Sequence, residues 1–438
     1  MPKYAPQTRQ GQLGGGVVAQ AHRTYEVRCP VYGFVKFDDW EREIISCKPF
    51  QRLRRIRQLA WTDLVYPGAM HTRFEHSLGV MNMATLLYDG IVERSGDLLQ
   101  SEMGYDEDGL RRHRVLVRLA ALLHDVGHGP FSHAAEELLP ELPDGSGRRY
   151  GHEHYTAEII RRHFRDAIEN HPKNTNYDFT ADDVADFIEG KSEAGKALFW
   201  RELVAGQLDA DRMDYLLRDS LHAGVDYGKY DWRRLVNSVV AVTFEDKGPR
   251  LGVDEGGWHS AEGLILARYF MFTQVYFHKT RSVFDHHLHG ALAEMLPGRV
   301  FPGPERNALN KYLQWDDWKV MGLLAAGKGG EHGSRLSHRD HFREVRHTPE
   351  TPSPSDLVNL ELWKDKLGDL LAAEVSAEKS WYKVGSSDVP VVAALPPHGV
   401  KPLSDYSSVV GNIKSIKQVR LYVRHEDREE AESRLTQK

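Results

Sequence analysis

Residues 123–133, Leu123-His124-Asp125-Val126-Gly127-His128-Gly129-Pro130-Phe131-Ser132-His133, join the end of an apolar helical run to a turn crowded with imidazoles. Upstream of them, Val115, Leu116, Leu119, Leu122 and Leu123 recur at three- and four-residue spacing, which predicts a helix from Leu110 to Asp125 with a broad buried face. Gly127, Gly129 and Pro130 make continuation costly, so the helix is expected to stop there. An isolated buried histidine is most often a hydrogen-bonded core residue. Three histidines in ten residues, beside two glycines and a proline, make poor core sequence and point to a metal instead.

Two further helical patterns offer partners. One runs from His76 to Val92, with Leu78, Met81, Met83, Leu86 and Leu87 largely internal; the other spans 195–221 and carries Asp211. The candidate ligand set is therefore His76, His124, Asp125 and Asp211. Adjacent side chains on a helix diverge by about 100°. An ion shared by His124 and Asp125 must then sit beside the ridge between them and draw its other ligands from elsewhere. A divalent cation withdraws charge from phosphate-ester oxygens and acidifies bound water. Imidazole with carboxylate suits Mn, Fe or Zn, whereas an all-oxygen set would suit Mg or Ca.

The 438 residues have room for a large core and an accessory lobe. A formal net charge of -6 argues against a protein built to coat nucleic acid, although a local basic pocket is compatible with it. Two cysteines, Cys29 and Cys47, do not make a disulfide framework and fit reduced thiols. No window approaches the roughly 18 consecutive apolar residues of a membrane span, and the polar, glycine-rich Met1 to Gly16 lacks the apolar run of a secretory signal. A soluble, cytoplasmic protein is expected, without membrane partners.

Residues 1–25 read as a flexible segment, 26–325 as a helical core, and 326–438 as a smaller mixed α/β lobe. Residues 30–37 suggest a strand or hairpin. Helical spacing starts at Asp39 with an interruption at Pro49, and continues through 152–165, 181–189 and 258–296. The Gly-, His-, Arg-, Ser- and Pro-rich stretch 326–354 reads as a long exposed connection. A helix at 356–375 and strands at 381–385, 389–394 and 417–424 should follow it. No internal repeat is found. The fold class is mainly α.

Three strings in order carry a resemblance. His71-Thr72-Arg73-Phe74-Glu75-His76-Ser77-Leu78-Gly79, the 123–133 segment, and Leu208-Asp209-Ala210-Asp211-Arg212-Met213-Asp214-Tyr215-Leu216-Leu217-Arg218-Asp219 resemble HD-domain deoxynucleoside triphosphate triphosphohydrolases. The similarity includes the branch that couples an HD core to a SAM domain, for which the stretch before residue 26 is too short. It runs from about Pro30 to the 417–424 strand and includes Arg339-Asp340-His341-Phe342-Arg343-Glu344-Val345.

The resemblance implies an HD-domain helical core in which His76, His124, Asp125 and Asp211 hold the metal, with Mg accompanying the triphosphate. It implies catalytic roles for His133, Glu136, His128, His152 and Glu153, with Glu136 orienting His133, and hydrolysis of a dNTP to deoxynucleoside and inorganic triphosphate. It places Arg73, Arg212 and Arg268 on the phosphates and Tyr215 against the sugar, closing off a 2′-hydroxyl. Asp219 and Gln58 match groups that bind the 3′-hydroxyl, and Leu59 and Tyr276 complete the substrate set. Histidine suits proton transfer near neutral pH, and a carboxylate behind it fixes the tautomer. Tyr215 stands at i+4 from Asp211, on one helical face with it.

The family also implies a homo-oligomer, tetramer or hexamer, and a nucleotide activator. In the SAM-carrying branch an acid reads guanine at the activator site; Cys47 stands at the matching position here, with Gln51 and Arg54 retained. Phe272 and Phe277 stand near the base where that branch has polar groups. Two other functions compete. One is an HD phosphohydrolase acting on monophosphates, cyclic nucleotides or alarmones; the other is a non-catalytic nucleotide sensor. Retention of Tyr215, Arg268 and Gln58 favours the dNTPase, and the intact ligand set disfavours the sensor. The stretch 332–347 is a candidate nucleic-acid contact that the overall composition does not support.

Overall fold

Alternating exposure along Tyr25–Cys29 (β1) and Gly33–Phe37 (β2) folds the start of the described chain into an antiparallel hairpin with Val27 opposite Val35. The structure, a computed structural model, describes residues 23–243, 248–385, 387–395 and 399–437. The flexible segment expected at 1–25 falls almost wholly outside these residues, and Tyr25 is already in β1.

The body that follows is helical, as expected. Asp38 caps α1 (Asp39–Ser46) by accepting from the Glu41 amide at 2.9 Å. Next come α2 (Arg73–Ser101), α3 (Glu107–Leu123), α4 (His152–Ile159), α5 (Ala181–Glu189), α6 (Leu198–Ala205) and α7 (Ala210–Ala223). After a hairpin of β3 (Val239–Thr243) and β4 (Pro249–Asp254) come α8 (Trp258–Met271) and α9 (Lys279–Met295). Two π-helical turns, Ile160–Phe164 and Phe272–Tyr276, extend α4 and α8.

α2 is the hub, packed on α3, α7 and β3. Met83, Leu87, Leu119, Leu122 and Leu123 are fully buried between these elements, each contributing roughly 1.5–3 kcal/mol of burial. Close approach of α2 to α7 depends on Gly79. A Cβ there would lie 1.9 Å from Asp214 Oδ1 and 2.3 Å from Arg218 Nη2.

The remaining chain differs from expectation in detail. The supposed connection 326–354 contains α10 (Gly330–His338) and β5 (Arg343–His347). The helix read over 356–375 is α11 (Pro354–Leu367). Gly368, at φ +48°, ends it, and Leu371–Lys379 continues as β6. Of the other strands, 381–385 is not one, 389–394 shortens to β7 (Pro390–Val392), and β8 (Val400–Pro402) and β9 (Ile416–Val423) follow before α12 (Arg428–Thr436).

β5, β9 and β6 form an antiparallel sheet with β9 central. β7 leaves this lobe and pairs in parallel with β4, and β8 closes that sheet, giving the order β3-β4-β7-β8. Trp381, Tyr382, Val391 and Leu403 accordingly join the main hydrophobic core. The stretch 332–347 is folded: Arg335 is buried and paired with Glu331 and Asp340. No helix among the described residues is long and apolar enough to cross a membrane.

Candidate active site

The helix α3 closes at Leu123, with His124 as its capping residue and Asp125 in the turn beyond. The divergence expected of neighbours inside a helix is thereby relieved. His76, in the first turn of α2, brings Nε2 to 3.5 Å from Asp125 Oδ2 and 3.0 Å from Asp211 Oδ1. His124 Nε2 lies 3.3 Å from Asp125 Oδ1 and 3.7 Å from Asp211 Oδ1. The four expected ligands therefore converge from α2, the 124–125 turn and α7. Both Nε2 atoms are buried without a hydrogen-bond partner, which fits a cation held by two imidazoles and two carboxylates.

The electrostatics agree. Burial pushes the His76 pKa down, but Asp211, Asp214 and Asp125 overcome it and raise it to about 10. Burial opposes ionisation of Asp125 as well, yet Arg73, His124 and His128 hold it well below the usual carboxylate range. A cation at this point replaces a proton that the acids would otherwise trap.

His76 is aimed by a group that the sequence-based ligand set omits. Its Nδ1 lies 2.8 Å from Asp214 Oδ2. Asp214 in turn receives Arg218 Nε and Nη2, each at 2.8 Å, and the Tyr32 hydroxyl at 2.8 Å. Such outer carboxylates fix the tautomer of a ligating histidine. Gly79→Ala, which drives a methyl into this pair, is expected to cost about 1–3 kcal/mol of stability and to loosen metal binding about 10–100-fold. Thermal melts and chelator competition measure the two effects.

The turn after Asp125 is built by close contacts. Gly127 leaves no room for a Cβ, which would stand 2.2 Å from the His152 carbonyl. Its amide donates to Thr156 Oγ1 at 3.0 Å, and that hydroxyl donates to the His124 carbonyl at 2.9 Å, locking α4 against the turn. Phe131 and Ser132 adopt left-handed backbone angles, φ +56° and +60°, a strain of about 1–3 kcal/mol each. Stacking of Phe131 on Trp61 and donation of its amide to Asp317 at 2.7 Å hold it there. Ser132 donates to the Arg57 carbonyl and accepts from Arg73 Nε, both at 2.7 Å. Arg73 Nη1 reaches Asp125 Oδ2 at 2.5 Å, so this cation faces the ligand cluster from inside.

This geometry gathers a second constellation. His133 Nδ1 is 3.0 Å and His152 Nδ1 2.7 Å from Glu136 Oε1. His128 stacks on His152 with ring centroids 3.7 Å apart and reaches Asp125 Oδ1 at 3.3 Å. Against the effect of burial, His133 and His152 keep Glu136 ionised far below its ordinary range. His152 is raised by the same pairing despite its burial. His133 is the accessible member, with its side chain 65% exposed. Glu153 stands at the margin, 3.7 Å from His152 and 57% exposed.

Two turns beyond Asp211 on α7, Asp219 receives the Tyr276 hydroxyl at 2.7 Å and lies 2.7 Å from His71 Nε2. The His71 carbonyl accepts from the Gln58 amide at 3.0 Å, which brings Gln58 to the same wall; its Oε1 is buried without a hydrogen-bond partner. The Tyr215 and Tyr276 rings are 6.2 Å apart at 69°. Leu59 is buried in the core beside this segment. A cavity of about 270 Å³, which Arg212 of α7 reaches, is lined also by Arg250, Arg268, Ser380 and Lys383, with Glu202 the acid among its walls. Arg268 Nη1 donates to the Trp381 carbonyl at 2.7 Å. Phe272 and Phe277 stack on each other, and Phe272 also meets Trp381.

Comparison with known proteins identifies the family to which these segments belong. Residues 73–219 match the HD domain and 230–380 an HD associated region. The uncharacterized protein YwfO of Bacillus subtilis is 36% identical over 385 residues, covering 82% of this chain and 79% of that protein. A deoxynucleoside triphosphate triphosphohydrolase, the SAMHD1 homolog of Dictyostelium discoideum, is 34% identical over 200 residues, 44% of this chain and 35% of that protein. The crystal structure of a hypothetical protein from Aquifex aeolicus superposes with a TM-score of 0.76 at 29% identity, covering 94% of this chain and 100% of that one. The chain spans half or less of several curated relatives, 47% and 35% of two of them. It belongs to the HD-domain family, in the group that carries an HD-associated region and numbers dNTP triphosphohydrolases among its relatives.

Proposed function

We propose that the chain is a metal-dependent dNTP triphosphohydrolase, cleaving a dNTP to deoxynucleoside and inorganic triphosphate. The observation that carries this is the sugar wall: Tyr215 and Asp219 stand one and two turns beyond Asp211 on α7, and Asp219 is held by His71 and Tyr276. The unpartnered Gln58 Oε1 beside it suits a 3′-hydroxyl donor. The name of the Dictyostelium relative supports the same activity.

His76, His124, Asp125 and Asp211 would hold the cation, which when bound supplies Lewis-acid polarisation of the α-phosphate and an acidified water. Mn, Fe and Zn suit the donors, and Mg would accompany the substrate triphosphate. Arg73 neutralises charge at the α-phosphate while steering Asp125. Arg212 and Arg268, on the wall of the 270 Å³ cavity, bind the β- and γ-phosphates. His133, exposed and oriented by Glu136, moves the proton to the departing or entering oxygen. His152, with His128 stacked on it, holds that carboxylate in place, and His133 and His152 together keep it ionised. Glu153 tunes His152 from the rim. The Tyr215 ring packs on the sugar between Leu59 and Tyr276 and leaves no space for a 2′-hydroxyl.

The enzyme works as a homo-oligomer in the cytoplasm, where its substrate is. Activation by a guanine nucleotide is not part of the proposal. Cys47 donates its thiol to the Glu43 carbonyl, and Arg54 and Gln51 bond each other at 2.9 Å.

Each of the four dNTPs and four NTPs, incubated with Mn or Mg and followed by mass detection of triphosphate, tests this. Deoxynucleotides are expected to be preferred by about a hundredfold, the discrimination a shape-selective pocket gives against one added hydroxyl. Tyr215→Ala should narrow that preference. Equal cleavage of both sugars would remove the sugar wall from the argument. Orthophosphate or pyrophosphate in place of triphosphate would point to another HD phosphohydrolase.

A further inference from the structure

Away from the active site, three imidazoles from two helices meet. His286 and His287 lie on α9 and His332 in the first turn of α10. One ring nitrogen of each falls within 4.8 Å of the other two. His287 Nδ1 and His332 Nδ1 are 2.9 Å apart, an approach that neutral imidazoles tolerate only with one proton or one cation between them. Room for the His332 ring is made by Gly290, where a Cβ would stand 2.4 Å from His332 Cδ2. His287 is fully buried, while His286 and His332 are partly exposed and leave a path for an ion.

The surroundings keep these rings unprotonated. Burial and then the neighbouring histidines bring His287 down to about 2 and His286 down to about 4, and burial lowers His332. The nearby cation Arg335 is neutralised by Glu331 at 2.9 Å and Asp340 at 2.7 Å. Glu331 and Glu294 place negative charge beside His332.

We propose that His286, His287 and His332 form a metal site separate from the active site, taking a borderline transition ion such as Zn²⁺ and pinning α10 to α9. Three neutral nitrogen donors favour Zn²⁺, Ni²⁺ or Cu²⁺ over Mg²⁺ or Ca²⁺. Without an ion, the Phe342 amide reaches His287 Nε2 at 3.4 Å, so the His287 proton sits on Nδ1 and is donated to His332. Binding transfers that proton to Nε2 and gives up the long Phe342 contact, with no net proton released. The site stands whether or not the chain cleaves dNTPs.

The test uses the full chain, stripped with chelator, dialysed against Zn²⁺ and analysed for metal per chain. An Asp211→Asn background suppresses the active-site ion. His332→Gln and His286→Gln are each expected to bind one zinc equivalent fewer than the parent. The parent should gain thermal stability with Zn²⁺ beyond what either variant gains. Melts in chelator separate lost coordination from misfolding, and His286, which does not share the Nδ1 contact, decides if His332→Gln proves unstable. If both variants keep the zinc content of the parent, or the parent shows no zinc above the active-site complement, the trio is a hydrogen-bonded packing cluster and the proposal falls.

Discussion

Asparagine at Asp211 is expected to lower hydrolysis by roughly a thousandfold or more, with the chain still folded. The substitution keeps the shape of the side chain and removes one of the two carboxylate charges, with Asp125 the other, that face both His76 Nε2 and His124 Nε2. Losing several kcal/mol of metal-derived transition-state stabilisation corresponds to about that factor. Asp211 is neither a helix cap nor fully enclosed; Asp209 caps α7, and the Asp211 side chain is 34% exposed. Its loss should therefore spare the melting temperature. Triphosphate release at saturating metal, with metal content measured alongside, checks the claim. A variant at parental rate would mean that the carboxylate does not serve the reaction.

His133→Gln separates the metal from the proton. Turnover is expected to fall by about 10²–10⁴ while metal content stays at the parental level, because His133 touches Glu136 and none of the four ligands. Its side chain is mostly exposed, so little packing is at stake. Glu136→Gln should act more mildly and move the pH profile. The carboxylate raises His152 above its ordinary value, so the imidazolium survives to higher pH in the parent. Without that charge the pKa drops, and the limb reporting loss of the imidazolium shifts to lower pH. A profile unchanged by Glu136→Gln would detach the pair from catalysis.

Much of this site was legible because its chemistry is local in sequence. His124, Asp125, His128 and His133 lie in one turn, and Asp211, Tyr215 and Asp219 share one helical face. The Asp214 and His71 partners were harder to see. Their roles depend on which helix packs against which, here α7 on α2 at Gly79, and spacing within a single helix does not encode that. The lobe was misread at β6 for a similar reason. Leu371, Ala372, Ala373, Glu374 and Val375 carry a helical composition, and only pairing with β9 across the sheet makes them a strand. The 326–354 segment failed the other way: a short helix starting with Gly330 has the composition of a loop.

The parallel pairing of β4 with β7 bears on how the chain is made. The outer edge of β4 gains its neighbour only from residues 390–392, far downstream in synthesis. Until the ribosome has released them, the nascent HD core carries an open hydrogen-bonding edge at Val253 and Asp254. Such edges recruit other chains, so premature termination before Pro390 should yield insoluble product rather than a smaller enzyme.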